Sequence, residues 1–115
     1  METSIKDPPR IKVVVRKRPL SEREEKKNDI DIVDKNAETS IIVKERKEKV
    51  DLTQYIEEHL FSFDQVFDDT ITNEQLYLEA VQPLVAATFE GAMTTVFAYG
   101  QTGSGKTHTM MGNPK

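Results

Sequence analysis

With 115 residues, no cysteine and a net charge of −4, the chain has the size of one domain burying roughly two-thirds of its unfolded surface, and it holds neither a disulfide framework nor a thiolate metal site. No run approaches the roughly 18 apolar residues of a membrane span, and the charged start Met1-Glu2-Thr3-Ser4-Ile5-Lys6-Asp7 lacks the apolar centre of a secretory signal. A cytosolic protein with no membrane or nucleic-acid partner is expected. The charge is unevenly spread: 14 of the 16 Lys and Arg residues lie between Lys6 and Lys49, and none lies between Val50 and Gly105. Acids such as Glu22, Glu24, Glu25, Glu45 and Glu48 are interleaved with those bases, so the region reads first as a solvated face and second as a surface for an acidic partner.

In chain order, residues 1–9 contain Pro8-Pro9 and no apolar periodicity, the profile of a flexible leader before a domain over residues 10–115. Ile11-Lys12-Val13-Val14-Val15-Arg16 predicts a strand stopped by Pro19, and Ser21 to Lys27 reads as a charged loop. Ile30 to Val33 and Ser40 to Val43 predict two short strands around a polar Asp34-Lys35-Asn36 connection. A third is expected near Val50 to Leu52 and a fourth at Leu60 to Asp64, together making a small antiparallel lobe beside a main sheet. Phe61 and Phe63 alternate with Ser62 and Asp64, which puts both rings on one face. His59 reads as a surface residue.

Thr72-Asn73-Glu74-Gln75 matches the S/T-x-x-E/Q capping box, and Leu76, Ala80, Leu84 and Ala87 recur at helical spacing as far as Gly91, a natural C-terminal cap. This predicts a helix covering the sheet, kinked at Pro83, whose ring conflicts with the carbonyl of Glu79. Thr94 to Tyr99 is a near-continuous apolar run, as expected of a strand at the centre of a parallel sheet.

Directly after that run comes Gly100-Gln101-Thr102-Gly103-Ser104-Gly105-Lys106-Thr107, a complete G-x-x-x-x-G-K-[ST] phosphate loop. Its glycines let the backbone adopt positive φ and turn amide groups inward as an anion nest. Lys106 is placed for the β- and γ-phosphates of a nucleoside triphosphate and the Thr107 hydroxyl for Mg²⁺, with a helix opening at Lys106 whose positive end faces the phosphates. Such a fold needs further parallel strands and a second Mg²⁺-binding acid, yet only eight residues follow Thr107. The chain is therefore expected to be the N-terminal portion of a larger α/β phosphate-loop NTPase fold, and to be inactive alone.

The stretch Phe97-Ala98-Tyr99-Gly100 through Lys106-Thr107-His108-Thr109-Met110 closely resembles the phosphate loop of the kinesin motor domain, trailing His-Thr-Met included. Arg16-Lys17-Arg18-Pro19 resembles that family's R-x-R-P adenine-site motif, and Phe63-Asp64-Gln65-Val66-Phe67 resembles its F-D-x-V-F strand end. Within the family, the lysine at position 17 and the run Lys49-Val50-Asp51-Leu52-Thr53 are similar to kinesin-13, the internal-motor group that takes microtubules apart.

What the resemblance implies is a kinesin fold with a mostly parallel central sheet, lacking switch I, switch II and the main microtubule-binding helix. Gly100 to Thr107 would hold ATP and Mg²⁺, with Lys106 and Thr107 catalytic. Arg16, Arg18, Pro19 and His108 would surround the adenine, and Lys49, Val50 and Asp51 would contact tubulin. The expected activity is microtubule-based ATP hydrolysis on the cytoskeleton. A non-catalytic nucleotide-gated filament binder is the alternative, and a GTPase or small-molecule kinase shares the bare loop but not the Arg16 to Pro19 motif.

Overall fold

The computed structural model describes residues 10–112; the expected leader and the last three residues lie outside the described residues. Strand β1 (Val14–Arg16) forms from the β-branched run and pairs in parallel with β5 (Gln65–Phe67), Val15 lying opposite Val66. Flanking bonds lengthen the pairing, from Asp64 N to the Val13 carbonyl at 3.0 Å and from Lys17 N to the Phe67 carbonyl at 2.9 Å. The Phe63 to Phe67 run is thus the neighbour that carries β1 and the Arg16 to Pro19 segment at its end.

The second sheet is antiparallel, in the order β2 (Val33–Ala37), β3 (Ser40–Glu48), β4 (Gln54–Ser62). This is the expected lobe with different bounds. Asp34, Lys35 and Asn36 are in a strand instead of a connection, because Asp34 and Lys35 sit opposite Ile42 and Ile41 and a ladder partner outweighs weak intrinsic preference. β3 and β4 also run through charged residues, paired across β3 and β4 by Glu45 with His59 at 2.8 Å and Lys47 with Glu57, while Lys44 of β3 pairs with Asp34 of β2 at 2.9 Å. His59 is accordingly half-buried and paired on the hairpin.

No strand forms at Val50 to Leu52. Those residues are the turn of the β3–β4 hairpin, closed by Leu52 N to the Lys49 carbonyl at 2.8 Å and Lys49 N to the Thr53 carbonyl at 2.9 Å, with Leu52 left-handed at φ +70°. A left-handed residue closing a three-residue loop is a standard hairpin solution. Of the two rings expected on one face, Phe61 is in β4 opposite Ile41, whereas Phe63 lies past the strand end and donates its amide to the Thr39 carbonyl at 2.7 Å.

Among the described residues the buried apolar side chains are Ile41, Val66, Phe67 and Leu76. Val66 and Phe67 lie on β5 where it passes the β2–β3 turn, to which Val66 N is bonded through the Glu38 carbonyl at 2.8 Å.

Ser21 to Lys27 is not a loop. Ser21 and Glu24 form a capping box, Glu24 N donating to Ser21 Oγ at 3.2 Å and Ser21 N to Glu24 Oε1 at 2.9 Å, which starts helix α1 (Glu22–Lys26). Thr72 and Gln75 make the same exchange at the start of α2 (Asn73–Leu76), as the spacing predicts. The distortion expected from Pro83 is a wide turn over Tyr77–Val81, where Gln82 N reaches back five residues to the Tyr77 carbonyl before α3 (Gln82–Phe89) continues. Gly91, at φ +98°, ends α3, with Gly91 N bonded to the Thr88 carbonyl and Ala92 N to the Ala87 carbonyl, each at 3.0 Å.

Two expectations fail here for a shared reason. The α2–α3 unit buries only Leu76, with Ala80, Leu84 and Ala87 half-exposed, so it does not cover the sheet. Thr94 to Tyr99 forms no strand, and Phe97 and Tyr99 are 79% and 97% exposed. A central parallel strand exists only by sharing its amides and carbonyls with neighbours on both sides. β1 and β5 pair with each other, and the described residues contain no strand that pairs with 94–99.

Candidate functional site

Residues Gly100 to Thr107 fold into a tight loop that opens helix α4 (Lys106–Met111). Ser104 N donates to the Gln101 carbonyl at 3.0 Å, and Gly103 and Gly105 take φ of +83° and +103°, values costly for any side chain. A Cβ on Gly100 would lie 2.5 Å from Ser104 Oγ and 3.8 Å from Lys106 Cγ. The Ser104 and Lys106 side chains therefore fold back over Gly100, and the loop is concave because that position has no side chain. Thr102 and Thr107 are exposed beside it, and Lys106 is half-buried.

The Gly105 carbonyl accepts from Thr109 N at 3.0 Å as the first bond of α4, which leaves the amides of the opening turn aimed along the helix axis toward the loop. Inward amides, a lysine across the floor and a hydroxyl at the rim form a donor set that fits a polyphosphate and its divalent cation.

The Arg16 to Pro19 segment arrives at this loop from the end of β1. Arg16 Nη1 donates to Asn73 Oδ1 and, at 3.2 Å, to Thr109 Oγ1, while Nη2 donates to the Ile71 carbonyl at 3.1 Å. Asn73 Nδ2 donates in turn to the His108 carbonyl at 2.9 Å. Arg18 lies closer to the loop itself: its Cδ is 4.0 Å from where a Cβ on Gly105 would stand. The Arg18 guanidinium forks onto Glu24, with Nη1 at 2.6 Å from Oε1 and Nη2 at 3.2 Å from Oε2, and Nη1 also donates to the Pro19 carbonyl at 2.9 Å. The Arg18 bond, with the backbone and hydroxyl of Ser21, holds the Glu24 carboxyl down to about 2, and Glu24 raises Arg18 in return.

Arg16 and Arg18 thus reach helix α4 and the loop through Thr109 and Gly105, and the Pro19 carbonyl is bonded to Arg18. Lys49, Val50 and Asp51 are not part of that cluster. They stand at the tip of a hairpin whose nine-residue strands extend for about 30 Å. Val50 is fully exposed, Lys49 Nζ lies 5.7 Å from the centre of the Tyr55 ring, and Asp51 Oδ1 accepts from Thr53 N at 3.0 Å. That bond lowers the Asp51 pKa, so the tip presents a cation and an anion on either side of a bare valine.

Asn73, Thr109 and Glu24 were not singled out by the sequence. Asn73 sits inside a capping box and reads as part of a helix start, and Thr109 belongs to the trailing His-Thr-Met. The Ser21-Glu22-Arg23-Glu24 spacing was the available signal for Glu24.

The family model for the kinesin motor domain matches residues 16–115. Kinesin-like protein KIN-13B of Arabidopsis thaliana is 54% identical over 101 residues, 88% of this chain and 15% of that protein. Kinesin-like protein KIF24 of Homo sapiens is 48% identical over 103 residues, 90% of this chain and 8% of that protein. A solved structure of a fast kinesin is 35% identical with a TM-score of 0.73, covering 87% of this chain and 26% of the other. The chain spans about a quarter or less of each of these relatives. The α/β architecture with its separate antiparallel lobe, the glycine loop and these matches lead to one conclusion: the chain belongs to the kinesin motor domain family.

Proposed function

We propose that this chain is the N-terminal, nucleotide-holding portion of an ATP-driven microtubule motor of the depolymerising kind. The loop carries the reading: Gly103 and Gly105 at positive φ, Gly100 closed over by Ser104, and Lys106 and Thr107 opening α4. Gly100 to Thr107 hold the phosphates, and the Thr107 hydroxyl helps hold Mg²⁺, which supplies charge neutralisation at the transferring phosphoryl group when bound. Lys106 steadies the same negative charge. The base packs beside Arg18, which stands next to Gly105, with Pro19 and His108 as its further contacts. Catalysis requires a water-positioning group and a second Mg²⁺-binding acid from switch segments beyond this part of the motor.

For the partner, the hairpin tip supports tubulin. An exposed valine between Lys49 and Asp51 offers a small apolar knob with charges on both flanks, suited to a shallow groove on an acidic protein. KIN-13B being among the relatives favours the depolymerising group, and a place on the microtubule cytoskeleton follows from that reading. No described helix is long and apolar enough to cross a membrane.

The test is a titration of Mg-ATP into the motor domain that contains this chain, wild type against Lys106→Ala. A hydrogen bond to a charged group contributes roughly 1.5 to 3 kcal/mol, so affinity drops on the order of 10- to 100-fold. Equal affinities would remove Lys106 from the phosphate site. Turnover in the same samples separates a motor from a filament binder that is only gated by nucleotide.

A further inference from the structure

Arg18 stands beside the phosphate loop, its Cδ 4.0 Å from where a Cβ on Gly105 would lie. A long side chain is a weak contact when its head is free to wander, because ordering it costs free energy at the moment of binding. The head of Arg18 is not free. Its Nη1 donates to Glu24 Oε1 at 2.6 Å and its Nη2 to Glu24 Oε2 at 3.2 Å, while Nη1 also donates to the Pro19 carbonyl at 2.9 Å. Two parallel bonds to one carboxylate fix the plane of a guanidinium as well as its place.

Glu24 is itself held. Its Oε1 accepts from Ser21 N at 2.9 Å, and its own amide donates to Ser21 Oγ at 3.2 Å. One carboxylate thus closes the capping box of α1 and seats Arg18. A capping box needs only a glutamate or glutamine at that position and makes no demand for an arginine partner. The fork is therefore a second task laid on a residue that helix formation alone would not require. Its bonds run along the edges of the guanidinium and leave the faces free, and the face of a delocalised cation is a surface on which a flat ring stacks.

We propose that Glu24 is a positioning residue for nucleotide binding: by holding the Arg18 guanidinium in one plane beside Gly105, it prepares a stacking face for the base. The proposal rests on the reading of Gly100 to Thr107 as a phosphate site with Arg18 beside the base, and deepens it. Glu24 acts through Arg18 and not on the nucleotide directly, by removing an ordering cost before the ligand arrives. Its effect must therefore vanish once Arg18 is gone, and must be absent for a ligand that has phosphates but no base.

The experiment is a double-mutant cycle in the motor domain that contains this chain, with Glu24→Ala, Arg18→Ala and the two combined. Glu24→Gln keeps the shape and the cap and serves if the alanine variant folds poorly; Ser21→Ala loosens the cap and leaves the fork. Affinities are measured for Mg-ATP and for inorganic tripolyphosphate with Mg²⁺. The expected result is a loss of about 2- to 5-fold for Mg-ATP with Glu24→Ala, the scale of a cation over an aromatic face at an exposed site. Tripolyphosphate affinity stays unchanged, the combined variant is no worse than Arg18→Ala, Glu24→Gln loses less than Glu24→Ala, and Ser21→Ala stays near wild type.

Additive losses in the combined variant would overturn the proposal by showing that Glu24 works apart from Arg18. An equal loss of tripolyphosphate affinity, or an equal loss with Ser21→Ala, would overturn it by making Glu24 only a support for the loop or for α1. Unchanged Mg-ATP affinity with Glu24→Ala would overturn it as well. No loss with Arg18→Ala would remove Arg18 from the base and the role of Glu24 with it, whereas failure of the wild type to bind Mg-ATP would overturn the phosphate-site reading itself.

Discussion

Lys49 and Tyr55 face each other across the β3–β4 turn, the ammonium 5.7 Å from the ring centre, and this contact steadies a tip whose valine touches nothing. A fully exposed valine held on a defined turn is an arrangement for being touched by something else. Replacing Lys49, Val50 and Asp51 together by alanine in the motor is expected to leave ATP affinity and basal turnover nearly unchanged, since the tip lies a whole hairpin away from the phosphate loop. Tubulin release from stabilised microtubules should be lost, as measured by sedimentation after incubation with ATP. Release at the wild-type rate would make the tip ordinary surface and remove the main support for a depolymerising motor.

Leu52 closes that turn at φ +70° while 74% exposed. A leucine in the left-handed region costs roughly 1 to 2 kcal/mol, and asparagine adopts it more readily. Leu52→Asn is expected to stabilise the motor by about 1 kcal/mol in denaturant unfolding, because little burial is lost with the side chain. A destabilised variant would show that Leu52 is packed or that the turn relaxes otherwise.

The Arg18–Glu24 pair predicts a pH dependence. Glu24 is lowered from 4.5 to about 2 in the folded protein, first by the Arg18 bond and then by the Ser21 cap. A depressed carboxyl contributes stability that is complete above its unfolded pKa and disappears as pH falls through its folded one. The difference in melting temperature between wild type and Glu24→Gln should therefore be constant above about 4.5 and shrink to nothing by about 2. The pair is at the surface, so added salt should narrow the difference. A difference that persists at the acid end would mean that Glu24 acts by packing.

The chain on its own is expected to fold poorly. Among the described residues few apolar side chains are buried, and Phe89, Met93, Phe97 and Tyr99 are 79% exposed or more. A broad melt with strong binding of a hydrophobic dye is the expected outcome for the purified 115-residue chain. A sharp, reversible transition with ATP turnover would overturn that.

What the sequence made legible was whatever is decided locally. The Thr72 to Gln75 box, the Gly91 stop and the glycine loop each depend on residues within a few positions, and each forms where the spacing predicts. The Ser21 to Glu24 box has the same local logic but was obscured by a charged run without apolar period. The hairpin was misjudged because its outer half is charged, and the charges are matched only across strands, as in Glu45 with His59. Thr94 to Tyr99 has the composition of a strand, but a strand is a property of neighbours. Likewise, the segment Arg16 to Pro19 is visible in sequence, and the direction in which Arg16 points is not.

The wide turn at Tyr77–Val81 bears on how this helix tolerates insertions and deletions. Leu84 follows Leu76 by eight positions in the sequence, which on an unbroken α-helix places them about 80° apart; absorbing one residue in a turn of wider pitch brings them to within about 20°. The same wide turn takes up the conflict that Pro83 would otherwise cause. The extra residue and the proline are thus a coupled pair. A variant lacking one residue of the turn keeps its apolar face aligned only if Pro83 is replaced as well, and a relative of this chain that has lost one is expected to have lost the other.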